Sequence, residues 1–177
     1  VDSVLIRLKV GLEFGDATIS EIMPDPLPSL GLPEGEYLEV YNRLSDTLDL
    51  EGWTVSVNGR LSRCGKGIVL PYSYAVLSST SVSPFFKGYG NVVSLSNFDG
   101  LPNEGAGIHL INQEGTLIAT AFYTDDLYQQ EDIDGGVSLE RIDVNSFAES
   151  IEAWGLSRSS NGGTPCNENS IAGMVVD

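Results

Sequence analysis

Short runs of alternating apolar and polar residues occupy much of the chain. In the first run, Val4 to Phe14, every even position is apolar, and charged residues and a glycine fall at odd positions. A period of two is that of a β-strand with one buried face. We therefore expect a strand here and further strands along the chain. These are Ala17–Met23, Glu36–Asn42, Leu48–Val57, Ile68–Leu70, Tyr74–Leu77, Val92–Leu95, Ala106–Asn112, Thr116–Tyr123 and Val137–Asp143.

Glycine and proline separate these runs. Pro24 to Pro28 cannot pair along a sheet and predicts a loop, whereas Gln113 to Gly115 joins two strand-like runs as a hairpin. No run of ten residues has a helical period, although Ser146 to Trp154 allows one or two helical turns. Turns recur about every eight to twelve residues. The pattern predicts an all-β, antiparallel sandwich with Trp53 as a large core anchor.

The 177 residues fit one domain with a tail or linker at either end. Because the chain starts at Val1, we expect a processed protein or an excised segment. The net charge of −16, from 9 Lys and Arg against 25 Asp and Glu, disfavours binding to phosphate backbones and anionic membranes. No apolar run is long enough for a membrane span. We therefore expect neither a nucleic-acid partner nor membrane insertion.

The two cysteines leave two alternatives open. Cys64 and Cys166 have no CxxC spacing, and the single histidine cannot complete a zinc site with them. In an oxidising compartment they would form one disulfide that closes a loop of about 100 residues. The alternative is a pair of buried thiols.

An acidic stretch between Asp125 and Asp134 is the candidate for a metal. Calcium takes six to eight oxygen ligands, but the position of Gly135 does not match an EF-hand loop. The alternative is a solvated acidic loop without any cofactor. The five candidate ligands are Asp125, Asp126, Glu131, Asp132 and Asp134.

Catalytic chemistry has little support. A serine hydrolase needs a histidine, and His109 alternates with apolar neighbours in a way that predicts an outward, structural position. A glycosidase needs two carboxylates facing one cleft. Glu36 and Glu39 fall on opposite faces of their strand, whereas Glu21 of a neighbouring strand could approach Glu39. We expect no catalytic residue and rank a hydrolase last.

Aromatic residues in or beside loops are candidates for binding. Exposed rings stack on sugars and anchor protein partners, although most loop aromatics pack beneath their own loops. Tyr128, within the acidic stretch, is the best single candidate for an exposed anchor. The full set is Tyr72, Tyr74, Phe85, Phe86, Tyr89, Tyr123 and Tyr128.

A series of segments in fixed order carries a family resemblance. They are ISEIMP (19–24), LPEGEYLEVYNR (32–43), DLEGW (49–53), LP (70–71), LPNEGA (101–106), YTDD (123–126), DGGVSLERID (134–143), Trp154, GGTP (162–165) and NS (169–170). Together they resemble the bacterial lamin-tail domain over roughly Thr18 to Ser170. Cys166 stands where a glycine is more usual after Thr-Pro, which favours the disulfide alternative.

The resemblance implies an immunoglobulin-like sandwich and a non-catalytic role. Residues 16–170 would form the domain, 1–15 an added strand or the end of a preceding domain, and 171–177 a tail or linker. We expect an interaction, adhesion or scaffold module of a larger exported protein, located at the surface, in the periplasm or outside a Gram-negative cell. Its partners would be proteins, surface polysaccharides or neighbouring domains. The alternative is a carbohydrate-binding module that uses loop aromatics.

Overall fold

The computed structural model describes residues 11–146 and 151–171. Short strands dominate these ranges. The strands are β1 (Ala17–Met23), β2 (Tyr37–Asn42), β3 (Leu48–Asp49), β4 (Thr54–Val57), β5 (Arg60–Cys64), β6 (Ile68–Val69), β7 (Tyr74–Ser79), β8 (Val92–Ser96), β9 (Gly105–Ile111), β10 (Leu117–Thr124), β11 (Leu139–Arg141) and β12 (Trp154–Leu156). The helices are α1 (Ser83–Phe86), α2 (Asp126–Glu131) and a 3₁₀ turn, Ile151–Ala153.

One long sheet contains all the strands except the separate pair β3 and β6. Its order is β10-β9-β4-β5-β8-β7-β2-β1-β11-β12. Neighbouring strands are antiparallel except β7 and β8, which run parallel with Val76 opposite Val92. The predicted all-β, immunoglobulin-like sandwich is therefore confirmed, and the one parallel pair is an addition to the expected antiparallel arrangement.

The sheet folds over so that its β10 end meets β1, where the Gly15 amide donates to the Ile118 carbonyl at 2.8 Å. The main core lies between the two halves. It contains Ile22 and Leu38 from one half and Val55 and Ile108 from the other, and the predicted anchor Trp53 is 2% exposed. A second core cluster on the opposite face of β1 and β2 contains Met23, Leu32, Tyr37, Val76 and Phe86.

The run from Leu48 to Val57 is not one strand as predicted. Gly52, at φ +78°, turns the chain between β3 and β4. The missed strand β5 returns beside β4 through Asn58 and Gly59, whose φ angles are +48° and +84°. Positive φ at both central residues is what an Asn-Gly hairpin turn requires. The predicted hairpin around Gln113 to Gly115 is confirmed as β9 and β10.

Other predictions fall at the margins of the described residues. The strand predicted at Val4 to Phe14 lies mostly outside them, and its described part, residues 11–14, contains no strand. Of the predicted helical turns, residues 147–150 also lie outside, and Ile151–Ala153 forms the 3₁₀ turn. The acidic stretch is not all loop, because it contains α2. The division at residues 15 and 170 stays a prediction.

Candidate functional site

Three glutamates lie side by side on adjacent strands. Glu21 of β1 is directly opposite Glu39 of β2 and also opposite Glu140 of β11. Directly opposed residues of antiparallel strands project to the same face of a sheet. All three side chains are 0% exposed. We call Glu21, Glu39 and Glu140 the glutamate cluster.

The local sequence explains why these carboxyl groups share a face. Each glutamate has an aliphatic neighbour in the strand, and those neighbours, Ile22, Leu38 and Leu139, all lie in the main core. Because adjacent residues of a strand project to opposite faces, the glutamates point away from that core. An antiparallel sheet often exposes this second face to water. Here another part of the chain covers it.

The cover is the C-terminal strap, residues 157–171. Its backbone amides donate to all three carboxyl groups: Thr164 to Glu21 Oε1 at 2.9 Å, Cys166 to Glu39 Oε2 at 2.5 Å, and Ile171 to Glu140 Oε2 at 3.2 Å. The hydroxyl groups of Thr164 and Ser170 donate to Glu140 Oε1 and Oε2 at 2.9 and 2.8 Å. The strap is therefore attached to the sheet through the glutamate cluster.

The sheet supplies further donors. Glu21 Oε1 accepts from the Tyr37 hydroxyl at 2.8 Å and from the Ser138 hydroxyl at 2.5 Å. Glu39 Oε1 accepts from the Ser20 hydroxyl at 2.8 Å. By contrast, Glu21 Oε2 is buried without a hydrogen-bond partner. Within residues 11–146 and 151–171, every donor to the cluster is a neutral amide or hydroxyl group.

Gly163 allows the strap to approach this closely. A Cβ atom at this position would lie 2.6 Å from both Glu21 Oε1 and the Tyr37 hydroxyl oxygen. Nearby, the Asn169 side-chain amide donates to the carbonyls of Ser20 and Arg141 at 2.9 and 2.8 Å. The strap therefore also contacts the backbone of β1 and β11.

Burial changes the acidity of Glu21 and Glu39. Burial raises the pKa of Glu21 to about 7, and the neighbouring Glu140 charge also contributes, while the hydrogen bonds oppose the shift. Burial, followed by the Glu21 charge, raises the pKa of Glu39 well above its ordinary value. Raised carboxyl pKa values occur in catalytic acids. General acid catalysis also requires access to a substrate, and all three side chains are 0% exposed.

The acidic residues predicted to hold calcium do not converge. Helix α2 separates them: Asp126 accepts from Thr124 Oγ1 at 2.8 Å, Asp125 accepts from Gln129 Nε2 at 2.6 Å, and Glu131 Oε1 lies 3.9 Å from Arg158 Nη2. Across residues 11–146 and 151–171, no three His, Cys, Asp or Glu side chains form a group suited to a metal ion. The five candidate ligands therefore do not form a cluster in this structure.

Three of these carboxylates line an open crevice instead. Asp125, Asp132 and Asp134 border a space of about 500 Å³, and Asp25 and Glu104 from other loops complete its acidic rim. The prediction that Tyr128 is an exposed anchor is wrong, because this side chain is only 8% exposed. Its ring packs into the main core and its hydroxyl donates to the Val137 carbonyl at 2.7 Å. Helix formation turns this side chain inward.

The remaining aromatic candidates are divided between core and surface. Phe86 and Tyr123 are buried, whereas Tyr72 and Phe85 are 60% and 69% exposed. Tyr74 is half-buried, and its ring centroid lies 4.7 Å from that of Tyr41 on the adjacent strand. Tyr41, Tyr72 and Tyr74 form the tyrosine patch. Its two contacting rings are tilted by 42°, so they do not form a flat strip.

Of the two alternatives for the cysteines, the structure has free thiols rather than a disulfide. Cys64 is buried in the main core, while Cys166 packs against the second core cluster and its Sγ donates to the Asn91 carbonyl at 3.3 Å. Burial raises the pKa of the Cys64 thiol to about 12 and that of Cys166 to about 11. His109 is exposed, as its alternation predicted.

The comparison with known families supports the resemblance found in the sequence. The family described as Lamin Tail Domain matches residues 13–125, which include β1 to β10. No curated protein matches the chain significantly. Among the described residues, no helix has the length and apolar character needed to cross a membrane.

Proposed function

The chain belongs to the lamin tail domain family, and from this premise we propose that it is an interaction, adhesion or scaffold module of a larger exported bacterial protein. Domains of this family are immunoglobulin-like and generally non-enzymatic. The proposed partners are a protein or surface polysaccharide and the neighbouring domains of the same polypeptide. The proposed location is the surface, the periplasm or the exterior of a Gram-negative cell.

The complete burial of the glutamate cluster is the observation that carries this proposal. Glu21 and Glu39 are adjacent acids with raised pKa values, whereas a hydrolase pairs one such acid with a second carboxylate that stays ionised. Both are 0% exposed and hydrogen-bonded to their own strap. In the folded domain these carboxyl groups therefore hold the strap against the sheet. This supports a module that acts through its surface.

The overall charge supports a soluble module that associates with proteins or neutral glycans. A net charge of −16 repels nucleic acids and anionic lipid headgroups, and it opposes self-association. The exposed side chains Leu61, Phe85 and Phe122 provide apolar contact area on different parts of the surface. Aromatic residues such as these two phenylalanines are enriched in protein interfaces relative to the rest of the surface.

A carbohydrate-binding module is the second candidate, and the tyrosine patch favours it. Tyr72 is 60% exposed and lies close enough to Tyr41 to contribute to the raised pKa of that phenol, for which burial is the larger cause. Phenol rings offer an apolar face and a hydroxyl group together, which suits sugar rings.

A panel of surface and plant polysaccharides tests both candidates. Each glycan is mixed with the purified domain, and both the thermal midpoint and the release of reducing sugar are measured. A ligand that binds only the folded state raises the midpoint. The interaction proposal predicts no sugar release, and release that a Glu21→Gln variant abolishes would contradict it.

The tyrosine patch has its own control. A midpoint rise with one glycan that Tyr72→Ala abolishes and Phe85→Ala retains would establish the carbohydrate-binding module. Phe85 is a matched control because it is similarly exposed but lies on α1, away from the patch. No shift with any glycan would remove that candidate and leave a protein partner.

A further inference from the structure

We propose that the C-terminal strap is a pH-sensitive cover, which stays closed while the glutamate cluster retains a proton and opens locally as its last carboxyl groups ionise. Opening of the strap would expose part of the second core cluster, which lies beneath it. This inference is independent of the proposed function, because it concerns a conformational change within the domain.

The geometry places three acids together without a compensating cation. Glu21 is directly opposite both Glu39 and Glu140, and none of them forms an ion pair with a described lysine, arginine or histidine. Like charges held together in a buried site cannot all ionise without a large cost. A retained proton lowers the total charge and lets the strap remain closed.

The groups that face the cluster from surrounding elements are neutral or acidic. They are Tyr37, Tyr74, Tyr128 and Cys166. Arg141 follows Glu140 directly but projects to the other face, where its guanidinium lies 4.7 Å from the centre of the Trp154 ring. Nothing among these groups offsets the second and third negative charges.

The strap is the part of the structure that responds to this charge. The amides of Thr164, Cys166 and Ile171 all donate to cluster carboxyl groups, and these bonds span most of the strap. When the strap opens, water reaches the carboxyl groups and ionisation becomes favourable. Opening is therefore linked to proton release, and higher pH favours it.

Opening would also uncover an apolar surface. Cys166 packs against the second core cluster, in which Met23, Tyr37 and Val76 are at most 1% exposed. Gly163 contacts Tyr37 directly. A strap that lifts from this face exposes part of the cluster to solvent.

Hydrogen exchange at the three strap amides provides the test. Exchange is followed by NMR on the whole chain from about pH 5 to about pH 8, and each rate is divided by its intrinsic rate. For the Glu21 proton alone, the opening constant of wild type rises up to tenfold per pH unit until about pH 7. Protection that is independent of pH would overturn the proposal.

Glu21→Gln replaces the titratable carboxyl group with an amide of nearly the same shape, and Glu36→Gln is the matched control. Glu36 is a half-buried glutamate whose pKa is also raised, but it accepts the Leu101 amide and does not contact the strap. We expect the opening of Glu21→Gln to release one proton fewer than that of wild type, so that its opening constant depends less on pH. We expect Glu36→Gln to keep the pH dependence of wild type. An unchanged slope in Glu21→Gln would contradict the proposal.

A titration of wild type by carboxyl ¹³C NMR covers the case in which Glu21→Gln does not fold. The proposal predicts that Glu21 titrates near neutral pH and that the strap amide signals shift with the same midpoint. A Glu21 midpoint at or below the ordinary glutamate value of 4.5 would overturn it.

Discussion

At the scale of single residues, close contacts decide which positions tolerate change. Gly163 has no positive φ, so its requirement is purely one of space. Gly163→Ala would force the new methyl group against Glu21 and Tyr37. Overpacking of this kind typically costs about 1–3 kcal/mol. We expect that loss in the free energy of unfolding, measured with urea.

Gly88→Ala is the control for this change, because nothing lies within 4 Å of the added Cβ and its φ is ordinary. We expect little change in stability. If Gly163→Ala were as stable as Gly88→Ala, the strap could not lie as close to Glu21 as described.

Tyr128 provides a second test at this scale. Tyr128→Phe removes the hydroxyl that donates to the Val137 carbonyl inside the core, and we expect a loss of about 1 kcal/mol. Tyr72→Phe removes a phenol hydroxyl from a side chain that is 60% exposed, and should have almost no effect. Equal effects in urea unfolding would contradict the inward orientation of Tyr128.

At the scale of elements, the alternating pattern identified most strands but not their partners. It predicted β1, β2, β7 and the β9–β10 hairpin, because each has a regular apolar face. It missed β5, whose Leu61 is exposed, although the Asn58-Gly59 pair is a recognised hairpin signal. It also placed Tyr128 in a loop, since six residues of helix are too short to show a period.

The hairpin turn gives a prediction for an element. Gly59 has φ +84°, and a Cβ atom added to it would have nothing within 4 Å, so Gly59→Ala tests backbone conformation alone. We expect it to destabilise the domain by about 1 kcal/mol, because alanine disfavours positive φ. Gly88→Ala again serves as the control in urea unfolding, and equal stability of the two variants would contradict the turn geometry.

At the scale of the whole molecule, the glutamate cluster was the part that the sequence least revealed. The order of motifs predicted the family, and strand alternation allowed Glu21 to approach Glu39. Alternation alone assigns such glutamates to a solvated face, however, because it contains no information on what covers that face. The covering residue Thr164 is 143 positions from Glu21. Only the folded structure brings them together.

The same long-range packing explains how the structure resolves the alternatives that the sequence left open for the acidic stretch and for the two cysteines. The carboxylates between Asp125 and Asp134 are close in sequence, but α2 directs them apart. Cys64 and Cys166 are both partly or fully buried, but they pack into different core clusters. In this domain, proximity in sequence is therefore insufficient to predict a metal site. Burial of two cysteines is likewise insufficient to predict a disulfide.

The pH dependence of unfolding follows from the cluster. The pKa of Glu21 is raised from 4.5 to about 7, so its contribution to stability is fully present below about pH 4.5 and is lost as the pH rises through about 7. A shift of that size corresponds to about 3 kcal/mol. Glu39, whose pKa is also raised, acts in the same direction.

The most direct measurement is the free energy of unfolding of wild type and Glu21→Gln in urea at about pH 5 and about pH 7.5. If the buried acids hold the strap as protonated groups, wild type loses stability across this range. Glu21→Gln, which has no proton to lose at this position, should lose about 2 kcal/mol less across this range. Equal pH dependence in the two proteins, or a wild type that gains stability toward pH 7.5, would contradict the account.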